Sequence, residues 1–335
     1  MKKIVSLILA ACLCFAASGC HQSPADVPET TAPAYVYPGE DAVMAWKNPA
    51  YNDEKYAEGA TFSVWVNAKK DPDREYSYSG TVHWVENHGD HIFSLLCLPE
   101  DYDGTQKYPL LLAVHGFNAT FHDHDYFINY LTDAGFAVLL FDFRGGHVSS
   151  TLSDGRLTEM SYDTKLSDIR AMVEFAETLP MADPDNFIFL GHSQGGMMGA
   201  ITACTDGLKD RFNGMLLCAP AIWHADYLEQ YGSIDNLPEA DSFIYQTVGR
   251  DFLYSAVKYE QIIWDNLKDY DHPVRILCGT SDELHLDQDM EEIFGAFGDK
   301  ATLEMVEGGY HDFRDDVLPK IMPEIILPFL ESLVK

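Results

Sequence analysis

The stretch that most constrains this chain is a short apolar run ending in a serine flanked by glycines. Residues 187–190 read as a strand, Gly191-His192-Ser193-Gln194-Gly195 follows without a break, and a helical pattern runs from about 194 to 204. A strand that turns straight into a helix leaves no room for bulk two residues before and after the serine, so glycines stand there. The turn lifts the Ser193 hydroxyl above the sheet edge. The helix behind it aims its N-terminus at the same point, which favours developing negative charge. A parallel sheet with a reactive serine at its carboxyl edge is therefore expected.

Other segments repeat the rhythm. Residues 110–114 and 136–141 are further apolar runs, and 215–218, 274–278 and 303–306 also read as strands. Helical patterns cover about 124–134, 162–179 and 317–333; in the second, Leu166, Ile169, Met172, Val173 and Ala176 share one side. Before them, 61–66 alternates, and 81–86 with 91–98 flank Asn87-His88-Gly89-Asp90 as a hairpin. Alternating strands and helices predict an α/β fold, a mostly parallel, doubly wound sheet spanning 41–335 as one domain. Residues 221–272 interrupt the alternation with ten aromatic residues between Trp223 and Tyr270. They read as an insertion over the carboxyl edge, where such sheets bind ligands. The rings either line a substrate pocket as a lid or form the insertion's own core.

A serine hydroxyl is a weak nucleophile and needs a base. In this arrangement the order along the chain is serine, acid, histidine. His311, in Glu307-Gly308-Gly309-Tyr310-His311-Asp312-Phe313 after the last strand, is the expected base, and Asp282, in Gly279-Thr280-Ser281-Asp282, the expected acid; Glu283 and Asp287 stand close enough to be rivals. The oxyanion of acyl transfer needs donors. The backbone N–H groups of Gln194 and of Phe117, in His115-Gly116-Phe117, are the candidates, with His115 as a brace for that loop. Asp226, Tyr227, Gln230 and Tyr231, early in the insertion, are candidate polar partners for a substrate hydroxyl. His122-Asp123-His124-Asp125 alternates potential metal ligands, but nothing else in the sequence completes a site. No metal and no cofactor are expected.

HGF at 115–117, FDFRG at 141–145, GHSQGG at 191–196, APA at 219–221, GTSD at 279–282 and EGGYHDF at 307–313 together resemble the cinnamoyl and feruloyl esterases of the α/β-hydrolase superfamily, and the broader serine aminopeptidase-like group. The resemblance covers about residues 80–335. It implies an α/β-hydrolase fold with Ser193 as nucleophile, Asp282 as acid, His311 as base, Phe117 and Gln194 as oxyanion donors, and a lid after Pro220 that grips a phenolic acyl group. The loop Asn118-Ala119-Thr120-Phe121-His122-Asp123-His124-Asp125 and the Gly146-His147-Val148 continuation depart from the family pattern. The implied activity is that of a serine carboxylesterase acting on a small-molecule or plant-polysaccharide-linked ester. A small-peptide peptidase and a general short-chain esterase are the alternatives.

The N-terminus addresses location. Lys2 and Lys3 precede an apolar run over 4–17 that ends in Ala17-Ser18-Gly19-Cys20. The run suits a signal segment and falls short of the roughly 20 residues a membrane span needs. Its end resembles a bacterial lipobox, which implies lipid attachment at Cys20 and an extracytoplasmic protein held at the cell envelope through that anchor. Residues 21–40 are rich in Pro, Thr and Ala and read as a flexible tether. The net charge of −31 becomes about −33 without residues 1–20, and no basic stripe offsets it. Such a surface repels phosphate backbones, so a nucleic-acid partner is not expected. Cys97, Cys204, Cys218 and Cys278 lie in apolar runs as small core residues.

Overall fold

A computed structural model of the chain describes residues 35–66, 76–222, 225–284, 290–313 and 317–335. The chain divides into two units, Met1–Tyr37 and Pro38–Lys335. Cys20, the expected signal segment, most of the expected tether and the rival acid Asp287 lie outside the described residues.

The second unit opens with β1 (Thr61–Val64), β2 (Tyr78–Asn87), β3 (Asp90–Cys97) and β4 (Tyr108–Val114). Then come α1 (Ile128–Asp133), β5 (Ala137–Phe141), α2 (Tyr162–Thr178), β6 (Ala182–His192), α3 (Gln194–Ala203) and β7 (Gly214–Cys218). Next are α4 (Tyr227–Tyr231), β8 (Ala240–Phe243), β9 (Gln246–Gly249), α5 (Arg250–Asn266), β10 (Val274–Gly279), α6 (Met290–Phe297) and β11 (Ala301–Val306). The C-terminal helix runs from α7 (Leu318–Ile321) through a π-helical turn (Met322–Ile326) into α8 (Leu327–Leu333). Pro323 has no N–H to give the helical ladder, and the helix widens at that point.

Nine strands form one sheet in the order β1-β2-β3-β5-β4-β6-β7-β10-β11. The pairs β1–β2, β2–β3 and β3–β5 are antiparallel; the strands from β5 across to β11 are parallel. The apolar runs explain why the sheet is covered on both sides, because successive side chains point to opposite faces. Leu110, Leu112 and Val114 pack with Phe187, Phe189 and the helices α2, α3 and α5. Leu111 and Ala113 pack with Ile188, Leu190, α1 and the C-terminal helix. At the β2–β3 turn, His88 and Gly89 both have positive φ, 54° and 82°, which matches the twist of a two-residue hairpin. The thiols of Cys97, Cys204, Cys218 and Cys278 are free. Among the described residues no helix is long and apolar enough to cross a membrane.

The expected insertion, 221–272, differs in extent. Helix α5 is the crossover between the parallel neighbours β7 and β10 and buries Phe252, Leu253, Ser255, Ala256, Tyr259 and Ile263. Only the part before it, with α4 and the β8–β9 hairpin, is added to the α/β repeat. The dense aromatic composition hid the helical period of α5.

Candidate active site

Ser193 sits between β6 and α3 with φ 55° and ψ −119°, a conformation L-residues seldom adopt. Its N–H donates to the Cys218 carbonyl at 2.9 Å, and its own carbonyl accepts from Gly196 and Ala221, each at 2.9 Å. These bonds hold the turn against its strain. The flanking glycines have specific reasons. A Cβ on Gly195 would stand 2.0 Å from the Val114 carbonyl oxygen, and one on Gly191 would stand 2.5 Å from that of Gly195.

Asp282 follows β10 and His311 follows β11, so both reach the sheet edge that carries Ser193. Asp282 is buried, and its Oδ2 lies 2.8 Å from His311 Nδ1. Its Oδ1 accepts the Leu284 N–H at 2.9 Å. An Nδ1–H donated to the carboxylate leaves the basic lone pair of His311 on Nε2. Glu283 is exposed.

The loop after β4 runs against the serine: a Cβ on Gly116 would meet Ser193 Cβ at 3.1 Å and Oγ at 3.5 Å. No hydrogen bond among the described residues uses the backbone N–H of Phe117 or Gln194. His115 braces this loop as expected. Its Nε2 accepts from the Phe143 N–H at 3.0 Å and its Nδ1 donates to the Gly116 carbonyl at 2.9 Å, the pattern of a neutral ring. Burial and nearby Lys165 hold its pKa down at about 3. The Gln194 side chain is buried and accepts from Lys165 Nζ at 2.6 Å. Burial pulls the Lys165 ammonium down to about 7, against Asp168 and Asp123. Lys165 lies 4.4 Å from the Phe143 ring centre.

The inserted segment meets this loop through rings. Phe117 packs edge-on against Phe243 of β8 at 4.8 Å, and Phe252 of α5 lies 5.0 Å from Phe243. The four polar lid candidates are placed differently. Asp226 and Gln230 are exposed, and Tyr227 is half-buried against the core. The Tyr231 hydroxyl donates to Asp241 and accepts from Gln230 Nε2. No hydrogen bond among the described residues joins any of the four to Ser193, Asp282 or His311; Gln230 and Tyr231 bond to each other.

The side chains of 122–125 diverge. Asp125 accepts from Tyr78 and pairs with His122, Asp123 turns to Gly116 and His192, and His124 is buried with neither ring nitrogen bonded. Among the described residues no three His, Cys, Asp or Glu side chains are grouped as metal ligands. Two groups that sequence reasoning did not place in the site are there: Asp123 and His192. His192 Nδ1 lies 2.8 Å from Asp123 Oδ2, and its Nε2 lies 2.9 Å from the His311 carbonyl oxygen. Only the position of His192 beside the serine signalled this.

A family model described as the alpha/beta hydrolase fold matches residues 109–241. No curated protein matches the chain in sequence. Among solved structures, Est1E from Butyrivibrio proteoclasticus with ferulic acid bound is similar over 76% of this chain and 100% of its own, with 21% identity and a TM-score of 0.63. A monoacylglycerol lipase from Paleococcus ferrophilus matches over 72% of this chain and 99% of its own, at 18% identity and a TM-score of 0.56. The esterase domain of a Rhodothermus marinus protein matches over 75% and 98%, at 17% identity and a TM-score of 0.54. These likenesses agree on the fold.

Proposed function

We propose that this chain, an α/β hydrolase by fold, cleaves carboxylic esters through an acyl-enzyme on Ser193. The observation that carries this reading is the 2.8 Å Asp282–His311 contact on the sheet edge that also presents a strained serine. Ser193 Oγ attacks the ester carbonyl carbon as His311 Nε2 takes the hydroxyl proton. Negative charge gathers on the carbonyl oxygen, where the Phe117 and Gln194 N–H groups receive it. Collapse expels the alcohol, which leaves with the proton from His311. A water then attacks the acyl group, giving its proton to His311, and collapse releases the acid as Ser193 Oγ takes that proton back. Asp282 keeps the imidazole in the right tautomer and stabilises its charged form without taking the proton.

The proposed acyl group is aromatic, of the cinnamoyl or feruloyl type. The half-buried rings of Phe117 and Phe243 beside the oxyanion loop, backed by the buried Phe252, support this. So does the similarity in fold to Est1E, which was solved with ferulic acid. Burying a phenyl-sized ring supplies roughly 1.5–3 kcal/mol, enough for about a tenfold or greater preference over a short aliphatic acyl group. We also propose that Cys20 carries a lipid that holds the enzyme at the cell envelope.

Methyl ferulate, p-nitrophenyl acetate, a short aliphatic methyl ester and an aminoacyl anilide, assayed in parallel with wild type and Ser193→Ala, test the reading. Expected is a kcat/KM for methyl ferulate about tenfold or more above the aliphatic ester. In Ser193→Ala, kcat falls at least about 10³-fold and phosphonate labelling disappears. Equal rates on the two methyl esters leave a general esterase. Faster anilide cleavage makes the protein a peptidase. Labelling that persists in Ser193→Ala removes the serine from the mechanism.

A further inference from the structure

His192 and Asp123 have no step in ester cleavage as derived above, yet they bond to the loop after β4 and to the loop that carries His311. His192 precedes the nucleophile and is buried, with 7% of its surface exposed. Its Nδ1 faces Asp123 Oδ2 at 2.8 Å and its Nε2 faces the His311 carbonyl oxygen at 2.9 Å. The same Asp123 oxygen accepts the Gly116 N–H at 2.8 Å. A carboxylate and a carbonyl both accept, so a ring that bonds to both donates from both nitrogens and is an imidazolium. One ion pair thus joins the oxyanion loop, the serine turn and the loop of the base.

We propose that Asp123 and His192 are positioning residues that hold the oxyanion loop and the His311 loop in register with Ser193. This role rests on Ser193 and His311 being the reacting groups. Register matters because the oxyanion donors and the base act on one small tetrahedral centre, and a displacement of about 1 Å costs up to about 100-fold in rate. The charge of His192 is set by what packs on it. From the loop after β4 come Asp123 and His124; from the loop after β11 come His311, whose ring centre is 4.8 Å away, and Asp312. Burial disfavours the imidazolium, but Asp123, with Asp312 adding to it, lifts the pKa to about 9. Burial likewise opposes the Asp123 charge, and His192 overrides it and holds the carboxyl well below the usual range. The pair is therefore complete at neutral pH and is lost as pH rises through about 9.

The test compares kcat, KM and pH profiles of wild type, Asp123→Asn, Asp123→Ala and His192→Gln on p-nitrophenyl acetate. Rates are normalised to the serine sites that a phosphonate titrates, so unfolded molecules do not count. Expected is a fall in kcat of about 10- to 100-fold in Asp123→Ala and His192→Gln, with KM changed far less. Asp123→Asn keeps the shape and loses the charge. Its alkaline limb moves down by about a unit or more from the wild-type position near 9. Normalised kcat and an alkaline limb unchanged in all three variants overturn the positioning role. Ser193→Ala, run alongside, separates the two failures: if it still reacts with the phosphonate, the mechanism fails, and if it does not, only the positioning role does.

Discussion

Asp282 and Glu283 are neighbours with the same charge, and their surroundings separate them. Asp282 is buried and bonded to His311 Nδ1, while Glu283 faces solvent. An amide at 282 can offer the ring its N–H₂ and stabilise the wrong tautomer, and it cannot balance the imidazolium that forms during the reaction. Asp282→Asn is expected to lower kcat by about 10³- to 10⁴-fold. Glu283→Gln should stay within about twofold of wild type, as exposed substitutions do. Steady-state kinetics on one activated ester decides this, and a larger loss from Glu283→Gln overturns the choice of acid. The order serine–acid–histidine made these residues readable, since each follows a strand end. The Asp123–His192 pair was not readable, because 69 positions separate its members and only folding brings the loops together.

At the scale of elements, the FDFRG segment after β5 works as a junction. Arg144 is fully buried; its Nε lies 2.5 Å from Asp168 of α2 and its Nη1 2.7 Å from Asp90 of β3. Asp168 also accepts the Arg144 N–H at 2.9 Å, and Asp90 accepts that of Met44 at 3.0 Å. The cation therefore ties the β2–β3 hairpin and the chain before β1 to the main crossover helix. Asp90 also pairs with Lys47 and Asp168 also accepts from Asn87, but burying both carboxylates stays costly once the guanidinium is gone. Arg144→Met should destabilise the fold by about 3–5 kcal/mol, measured by urea unfolding with the slope checked for two-state behaviour. A loss below about 1 kcal/mol would mean that water or rearranged side chains satisfy Asp90 and Asp168. Helix α2 shows why this network escaped sequence reading. Its apolar side matches the expected residues, but Asp163, Lys165 and Asp168 are buried too. A hydrophobic period assumes that the polar side meets water, and here a second layer covers it.

At the scale of the whole molecule, charge and attachment set where the enzyme would work. A lipid on Cys20 and a Pro- and Thr-rich tether would keep an acidic catalytic domain in solution beside the envelope. Expressed with its native leader in a bacterium, the protein is expected to fractionate with membranes and to incorporate labelled fatty acid, and Cys20→Ser should abolish that incorporation. Label that persists in Cys20→Ser would falsify the anchor. By itself, the sequence determined the parallel sheet, the strand that leads into Ser193 and the chain order of Ser193, Asp282 and His311. These features are local: a continuous apolar run is a buried strand wherever it lies, and glycines around a serine state how tight the turn must be. Tertiary structure alone decided the extent of the insertion, since α5 is told from it only by the strands it bridges. It also decided that Gln230 and Tyr231 bond to each other, and that the two ring nitrogens of His192 meet two acceptors. Those outcomes depend on which polar atoms meet after packing, and spacing along a chain carries no record of partners that distant.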